Sequence, residues 1–293
     1  MSGVPTPAPE PVLFSARDGR ELAGLWLAAA HARAGLVVNG ATGYRREFYL
    51  RFAHYCAQRG YGTLLYDYRG MGASAPPDLR TESARMSDWG MLDMPAALAW
   101  LAARAAPLPL FTLGHSVGGQ LLGCMHNQAL ARAHVMIATS TGYWRRQRVP
   151  FRYLALLFWK VYGPLALARH GYVPHGVLWA GQSLPPNVFL EWRSWCLRPE
   201  HFASDLAGAL HGSAFESVRA PILSWDFSDD PIATPAAVAA LLERFYAHAQ
   251  LEQRWSSPRE LGVRRIGHRG FFAEAHRGSL WRGVLDWLDA RGA

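Results

Sequence analysis

The sequence predicts an α/β protein: a mostly parallel central sheet with helices on both faces and an inserted, mainly helical cap. Three observations predict it. Short apolar runs alternate with helical stretches along most of the chain. One of those runs ends in Gly114-His115-Ser116-Val117-Gly118-Gly119, a tight turn that opens a helical stretch. The alternation breaks once, from Gly142 to about Glu216, where tryptophan, leucine and proline are dense and no strand is evident.

Each element has its own signal. Residues 12–16 and 22–27 are apolar runs flanking Asp18-Gly19, a hairpin turn signal. Residues 34–38 form a buried strand that stops at Asn39-Gly40. A helix is expected over about 47–59, ending at Gly60, and a strand over 62–67. Residues 88–104 read as a long helix, with Asp88 at its start and Leu92, Ala96, Ala99 and Trp100 on its buried face. A strand over 108–113 leads into the turn at Ser116, and 119–126 opens the next helix. Residues 134–138 and 221–225 read as strands on either side of the break. Residues 236–248 are expected to be helical, 262–266 to be the last strand, and 280–290 the closing helix with Ser279 as its cap. The core is then 12–141 with 217–293, and 142–216 is the cap insertion. The polar, Pro-rich residues 1–11 are a flexible lead-in.

The composition excludes several classes. The chain has 293 residues, half of them apolar and 18% charged, enough to bury a large core. Its formal net charge of +8 comes almost wholly from arginine, Lys160 being the single lysine, which together with the abundant alanine reads as codon bias. No run of five basic residues occurs; Arg145-Arg146-Gln147-Arg148 is the densest patch, so nucleic acid is not an expected partner. Cys56, Cys124 and Cys196 lie far apart with no C-x-x-C, which points to reduced thiols in a cytoplasmic protein and to no metal or redox site. The N-terminus lacks the basic start and apolar core of a signal peptide. The longest apolar stretch, 153–168, is interrupted by Lys160 and Gly163-Pro164 and is too short to span a bilayer. Integral membrane association is therefore not expected, while peripheral contact stays open. No cofactor is implied, and the oligomeric state is not legible.

The turn at Ser116 carries the chemistry. A G-x-S-x-G bend between strand and helix lifts the serine hydroxyl out of the sheet, and the flanking glycines let the two backbones approach. A serine nucleophile needs a base and a third group to hold the base, here in the chain order Ser, acid, His. The acid is expected just past the strand after the break, in Asp226-Phe227-Ser228-Asp229-Asp230-Pro231. Asp230, rigidified by Pro231, is favoured, with Asp229 second and Asp226 third. The base is expected in a loop after the last strand, and His268 in Gly267-His268-Arg269-Gly270 fits better than His248 or His276. The oxyanion of the tetrahedral intermediate needs two N–H donors. Val117, next to the nucleophile at a helix N-terminus, is one. Ala41 in Asn39-Gly40-Ala41-Thr42-Gly43 is the other, with Thr42 next.

At these residues the chain resembles the α/β-hydrolase superfamily over nearly all of 12–288, the elbow around Ser116 being the most specific element. The run Asp67-Tyr68-Arg69-Gly70-Met71-Gly72-Ala73-Ser74 is similar to the Asp-x-Arg-Gly-x-Gly-x-Ser turn of the serine aminopeptidase-like and esterase branches, where the resemblance implies that Asp67 and Arg69 shape the turn. More narrowly, Ser140-Thr141-Gly142-Tyr143-Trp144, Glu191-Trp192-Arg193-Ser194-Trp195-Cys196 and Gly267-His268-Arg269-Gly270-Phe271-Phe272 resemble a bacterial group of predicted hydrolases of undefined substrate. Where the superfamily often has His-Gly before the oxyanion residue, this chain has Asn39-Gly40.

The break falls where the superfamily commonly carries a lid. Its tryptophans would make a dry pocket over the nucleophile and favour an apolar acyl or aromatic group. Thr42, His115, Tyr143 and Trp144 are expected to face that pocket. The expected function is a serine hydrolase of carboxylic esters or thioesters, working on a small molecule through a Ser116 acyl-enzyme. The alternatives are an aminopeptidase, which would need cap carboxylates such as Glu191, Glu200 and Asp205 to hold an amine, an acyltransferase on the same triad, or a non-catalytic binding module.

Overall fold

Residues 8–293 are described by the computed structural model; the first seven positions of the expected lead-in lie outside the described residues. Eight strands form one sheet: β1 (Glu10–Ser15), β2 (Glu21–Leu27), β3 (Ala34–Asn39), β4 (Tyr61–Tyr66), β5 (Leu110–His115), β6 (Ala133–Ile137), β7 (Ile222–Phe227) and β8 (Leu251–Ser256). Their spatial order is β1-β2-β4-β3-β5-β6-β7-β8. β1 and β2 are antiparallel, β2 joins β4 antiparallel, and every later pair is parallel. The four central strands β4, β3, β5 and β6 are buried along their whole length, as a parallel sheet covered on both faces requires.

The order of the strands fixes where a site can form. From β3 the chain moves outward to β4, and from β5 it moves the other way to β6. β3 and β5 therefore flank the point where the winding reverses, and the loops leaving their carboxyl ends separate into a crevice. Asn39, the last residue of β3, pairs with Gly114 of β5, so the loop beginning at Gly40 stands beside the turn at Ser116.

The helices, in chain order, are α1 (Leu50–Gln58), α2 (Met86–Asp88), α3 (Met94–Ala105), α4 (Val117–Gln120), α5 (Phe151–Leu157), α6 (Gly163–His170), α7 (Pro186–Leu197), α8 (Pro235–Phe245) and α9 (Arg282–Asp289). Three π-turns, Trp89–Asp93, Phe158–Tyr162 and Arg277–Trp281, run directly into α3, α6 and α9. Phe52 and Tyr55 of α1 pack on Trp281 just before α9.

Several boundaries differ from the sequence reading. β1 begins at Glu10, inside the expected lead-in. The long helix buries Met94, Ala97, Leu98 and Leu101 instead of Leu92, Ala96, Ala99 and Trp100. The π-turn before it adds a residue to one turn, so a face counted from Asp88 arrives out of phase. The helix expected at 119–126 is only the single turn of α4, followed by a 3₁₀ turn. His248 lies beyond α8, which ends at Phe245. The last strand is β8, not residues 262–266. β8 is an edge strand whose residues are partly exposed, so it lacks the apolar run that marks a central strand. Residues 266 and 267 instead give their N–H groups to Asp229. Ser279 sits inside the last π-turn and caps nothing.

Candidate active site

The elbow between β5 and α4 holds Ser116 at φ 53° and ψ −113°, a left-handed conformation that a non-glycine residue adopts only when its surroundings enforce it. Its N–H donates to the Ile137 carbonyl at the end of β6. A side chain at position 118 would collide with the Asn39 carbonyl, so glycine there lets α4 start hard against the end of β3. The serine is partly exposed while its neighbours on both sides are buried.

His268 reaches the elbow from the loop after β8. Its Nε2 lies 3.0 Å from the Ser116 Oγ, and its Nδ1 lies 2.7 Å from Asp230 Oδ2. The other oxygen of Asp230 accepts the Ile232 N–H at 2.7 Å. Burial alone would raise the Asp230 carboxyl, but the facing imidazolium and its hydrogen bond win and hold it below the usual carboxylate range. Burial alone would lower His268; the Asp230 carboxylate outweighs it, with Asp226 adding a smaller push, so the imidazole is held above its ordinary value.

Asp226 at the end of β7 and Asp229 and Asp230 in the loop after it have different partners. Asp229 accepts the N–H groups of Ile266 and Gly267, each at 2.9 Å, and so fixes the loop that carries His268. Asp226 is bonded away from the histidine, to the Ser224 hydroxyl at 2.8 Å and the Thr139 N–H at 3.2 Å. Desolvation pushes it up to about 8, partly countered by Ser224 and reinforced by the nearby Asp230 charge. The helix after the loop is capped by Thr234, whose hydroxyl accepts the Ala237 N–H.

The Val117 N–H, at the first position of α4, has no acceptor among the described residues. On the opposite side of the crevice the expectation needs correcting. The Ala41 N–H donates to the Tyr49 hydroxyl at 2.7 Å, whereas the Thr42 N–H has no acceptor among the described residues. Tyr49 in turn is 3.0 Å from His115 Nδ1, and His115 Nε2 is 2.9 Å from the His268 carbonyl. The carbonyl can only accept, so Nε2 carries the proton and Nδ1 accepts from Tyr49. Desolvation, with the nearby His268 as a second cause, lowers His115 to about 3, so this imidazole stays neutral. His115 was expected to line the pocket. It is fully buried and lies behind the elbow, tying the β3 loop to the backbone of His268. Tyr49, an unremarkable position in a helical stretch, carries no sequence signal for this role.

Tyr143 and Trp144 follow β6 and are half-buried, each with an arginine against its ring (Arg146 and Arg145). Asp67 accepts the N–H groups of Arg46 and Ala73, and Arg69 pairs with Asp93 and Asp18, so both shape the turn after β4. The segment between β6 and β7 meets the β3 loop directly. The Gln182 N–H donates to the Gly43 carbonyl at 2.9 Å, and Trp179 lies so close that a Cβ at Gly43 would stand 2.6 Å from its ring. A cavity of about 600 Å³ opens beside this contact, bordered by Gly43, Tyr44, Gly72, His175 and Gln182.

Sheet order, elbow and relay define the class: an α/β hydrolase of the serine hydrolase type. The family described as "Serine aminopeptidase, S33" matches residues 30–175, about half of the chain, and that match agrees with the sheet order and elbow in making the chain an α/β hydrolase. No curated protein matches it by sequence. Among solved structures it is similar to an esterase of Pyrococcus furiosus, with a TM-score of 0.65 at 15% identity over 98% of this chain and 92% of the esterase. It is similar to monoglyceride lipase of Saccharomyces cerevisiae in complex with a substrate analog, with a TM-score of 0.66 at 14% identity over 99% and 97%. It is also similar to Est1E of Butyrivibrio proteoclasticus with ferulic acid bound, with a TM-score of 0.59 at 12% identity over 96% and 98%.

Proposed function

We propose that this protein hydrolyses a carboxylic ester or thioester with an apolar acyl or aromatic group, through an acyl-enzyme on Ser116. The observation that carries the reading is the continuous relay from the Ser116 Oγ through His268 to Asp230. The Ser116 oxygen attacks the acyl carbon as His268 Nε2 takes its proton. The carbonyl electrons move onto the oxygen, which the Val117 and Thr42 N–H groups receive. As the tetrahedral adduct collapses, the alcohol or thiol leaves with the proton from His268. Water then repeats the cycle, releasing the acid and restoring the serine. Asp230 holds the imidazole and offsets its charge at each step.

Residues 142–216 act as the cap in this reading. Trp159, Trp179 and Trp192 pack together with Phe158 and Phe189, and Trp179 rests on the loop that bears Thr42. An aromatic roof of this kind keeps water from the acyl group and strengthens the N–H donors beneath it. The yeast neighbour is named as a monoglyceride lipase and the Butyrivibrio neighbour has the aromatic ferulic acid bound, which supports an apolar or aromatic group here.

Two of the three cap carboxylates that an aminopeptidase would need are already engaged. Glu191 accepts from the N–H and hydroxyl of Ser87, and Asp205 accepts from the Trp195 indole and pairs with Arg198. Turnover of nitrophenyl acyl esters and aminoacyl nitroanilides, measured side by side, tests the choice. Ester turnover should dominate, and Ser116→Ala should lower kcat by about 10⁴-fold or more. Amide turnover of equal or greater efficiency would make the aminopeptidase reading the correct one.

A further inference from the structure

α5, its π-turn and α6 run on as one helical stretch over residues 151–170, about 30 Å long at 1.5 Å per residue. Its inner side is packed: Phe158 and Trp159 are buried against Phe189 and Trp192. Its outer side should then be polar, and it is not. Tyr153 (53% exposed), Leu154 (52%), Leu157, Val161 and Leu165 (65%) recur at helical spacing on the solvent side. Val149 just before the helix and Val177 (99%), at the tip of the turn closed by Gly176 and Trp179, are exposed as well. A helix that is apolar on both sides has a second neighbour.

The charge around the stripe says what that neighbour is. From Met94 to Leu190 the chain contains no aspartate or glutamate. The same stretch carries Arg145, Arg146, Arg148, Arg152, Lys160 and Arg169 in and beside this helix. Lys160, the single lysine of the protein, is exposed within the stripe itself, where its stem can lie along apolar groups while its ammonium reaches a polar layer. A second copy would set the cations of this helix and its flanks against themselves across a two-fold axis, bringing like charges together. Nucleic acid has no use for the apolar stripe.

We propose that the outer face of residues 151–170 is an interfacial docking surface for an anionic lipid bilayer, the helix lying in the plane of the headgroups. Apolar residues enter the acyl boundary and the flanking cations meet the negative headgroups. Among the described residues no helix is long and apolar enough to cross a membrane. The helix also communicates with the site: Phe158 stacks on Trp179, and Trp179 packs on Gly43 beside Thr42.

The test uses full-length Ser116→Ala protein, so that no lipid is turned over and the outcome is independent of the proposed catalysis. Co-sedimentation is measured with vesicles of phosphatidylcholine alone and of phosphatidylcholine with phosphatidylglycerol, at low and high salt. Binding to the anionic vesicles should exceed binding to the neutral ones by about tenfold and fall with salt. The double variant Leu157→Glu, Val161→Glu should lose that binding with its melting temperature unchanged, because both positions are exposed. Lys160→Glu, which leaves the apolar stripe intact, should reduce the anionic preference. Equal binding to both vesicle types, or unaltered binding by the double variant, overturns the proposal. So does a dimer in sedimentation velocity that the double variant dissolves, because the second neighbour is then another copy of this chain.

Discussion

In the proposed mechanism His268 must be neutral to take the serine proton, and its surroundings favour the charged form. Asp230 raises the imidazole above its ordinary value against the pull of burial. Activity is therefore lost as pH falls through a value above about 6.5, the usual histidine pKa. We expect the acidic limb of kcat/KM to lie above that point. Asp230→Asn should move the limb to lower pH, since the neutral amide no longer holds the imidazolium, and should cut kcat by about 10³–10⁴-fold. A pH–rate profile of both proteins checks this; an unmoved limb would mean that another group controls it. Asp226 does not replace Asp230 in the relay, because its two oxygens are bonded to Ser224 and Thr139. The proposed roles of Ser116, His268 and Asp230, whose side chains do meet, could be read from a motif and from their positions after strands. That of Tyr49 could not, because it depends on a bond to His115, sixty-six positions away.

Two loops and one inserted segment shape the site between them. The β3 loop bends through Gly43 at φ +84°, and Trp179 occupies the space that a side chain there would need. Gly43→Ala should cost about 1–3 kcal/mol through the strained backbone alone. It should also displace Trp179 and with it the loop that bears Thr42. Thermal unfolding reads the first effect, and a fall in kcat with little change in KM reads the second. A melting temperature equal to the parent's would contradict it. These elements show how far a pattern of apolar residues reaches. The central strands were legible because full burial leaves an unbroken apolar run. β8 was not, because an edge strand exposes alternate residues, and the true end of the sheet reads like a loop. The phase of α3 was lost to a π-turn, which leaves no mark in composition.

The whole chain brings three distant segments to one crevice where the winding of the sheet reverses. That topology follows from the order of strands and helices, and so did the fold class. Charge was legible only in part. A net of +8 suggests little, whereas the absence of any carboxylate across a third of the chain gains meaning once the exposed stripe on residues 151–170 is known. The account stands or falls on whether the hydroxyl at 116 is a nucleophile. Treatment with a fluorophosphonate followed by peptide mass spectrometry reads this in one step. A single adduct on the peptide containing Ser116, absent in Ser116→Ala and much slowed in His268→Ala, is the predicted result. No adduct on the folded protein, or an adduct on another serine that persists in Ser116→Ala, would contradict it.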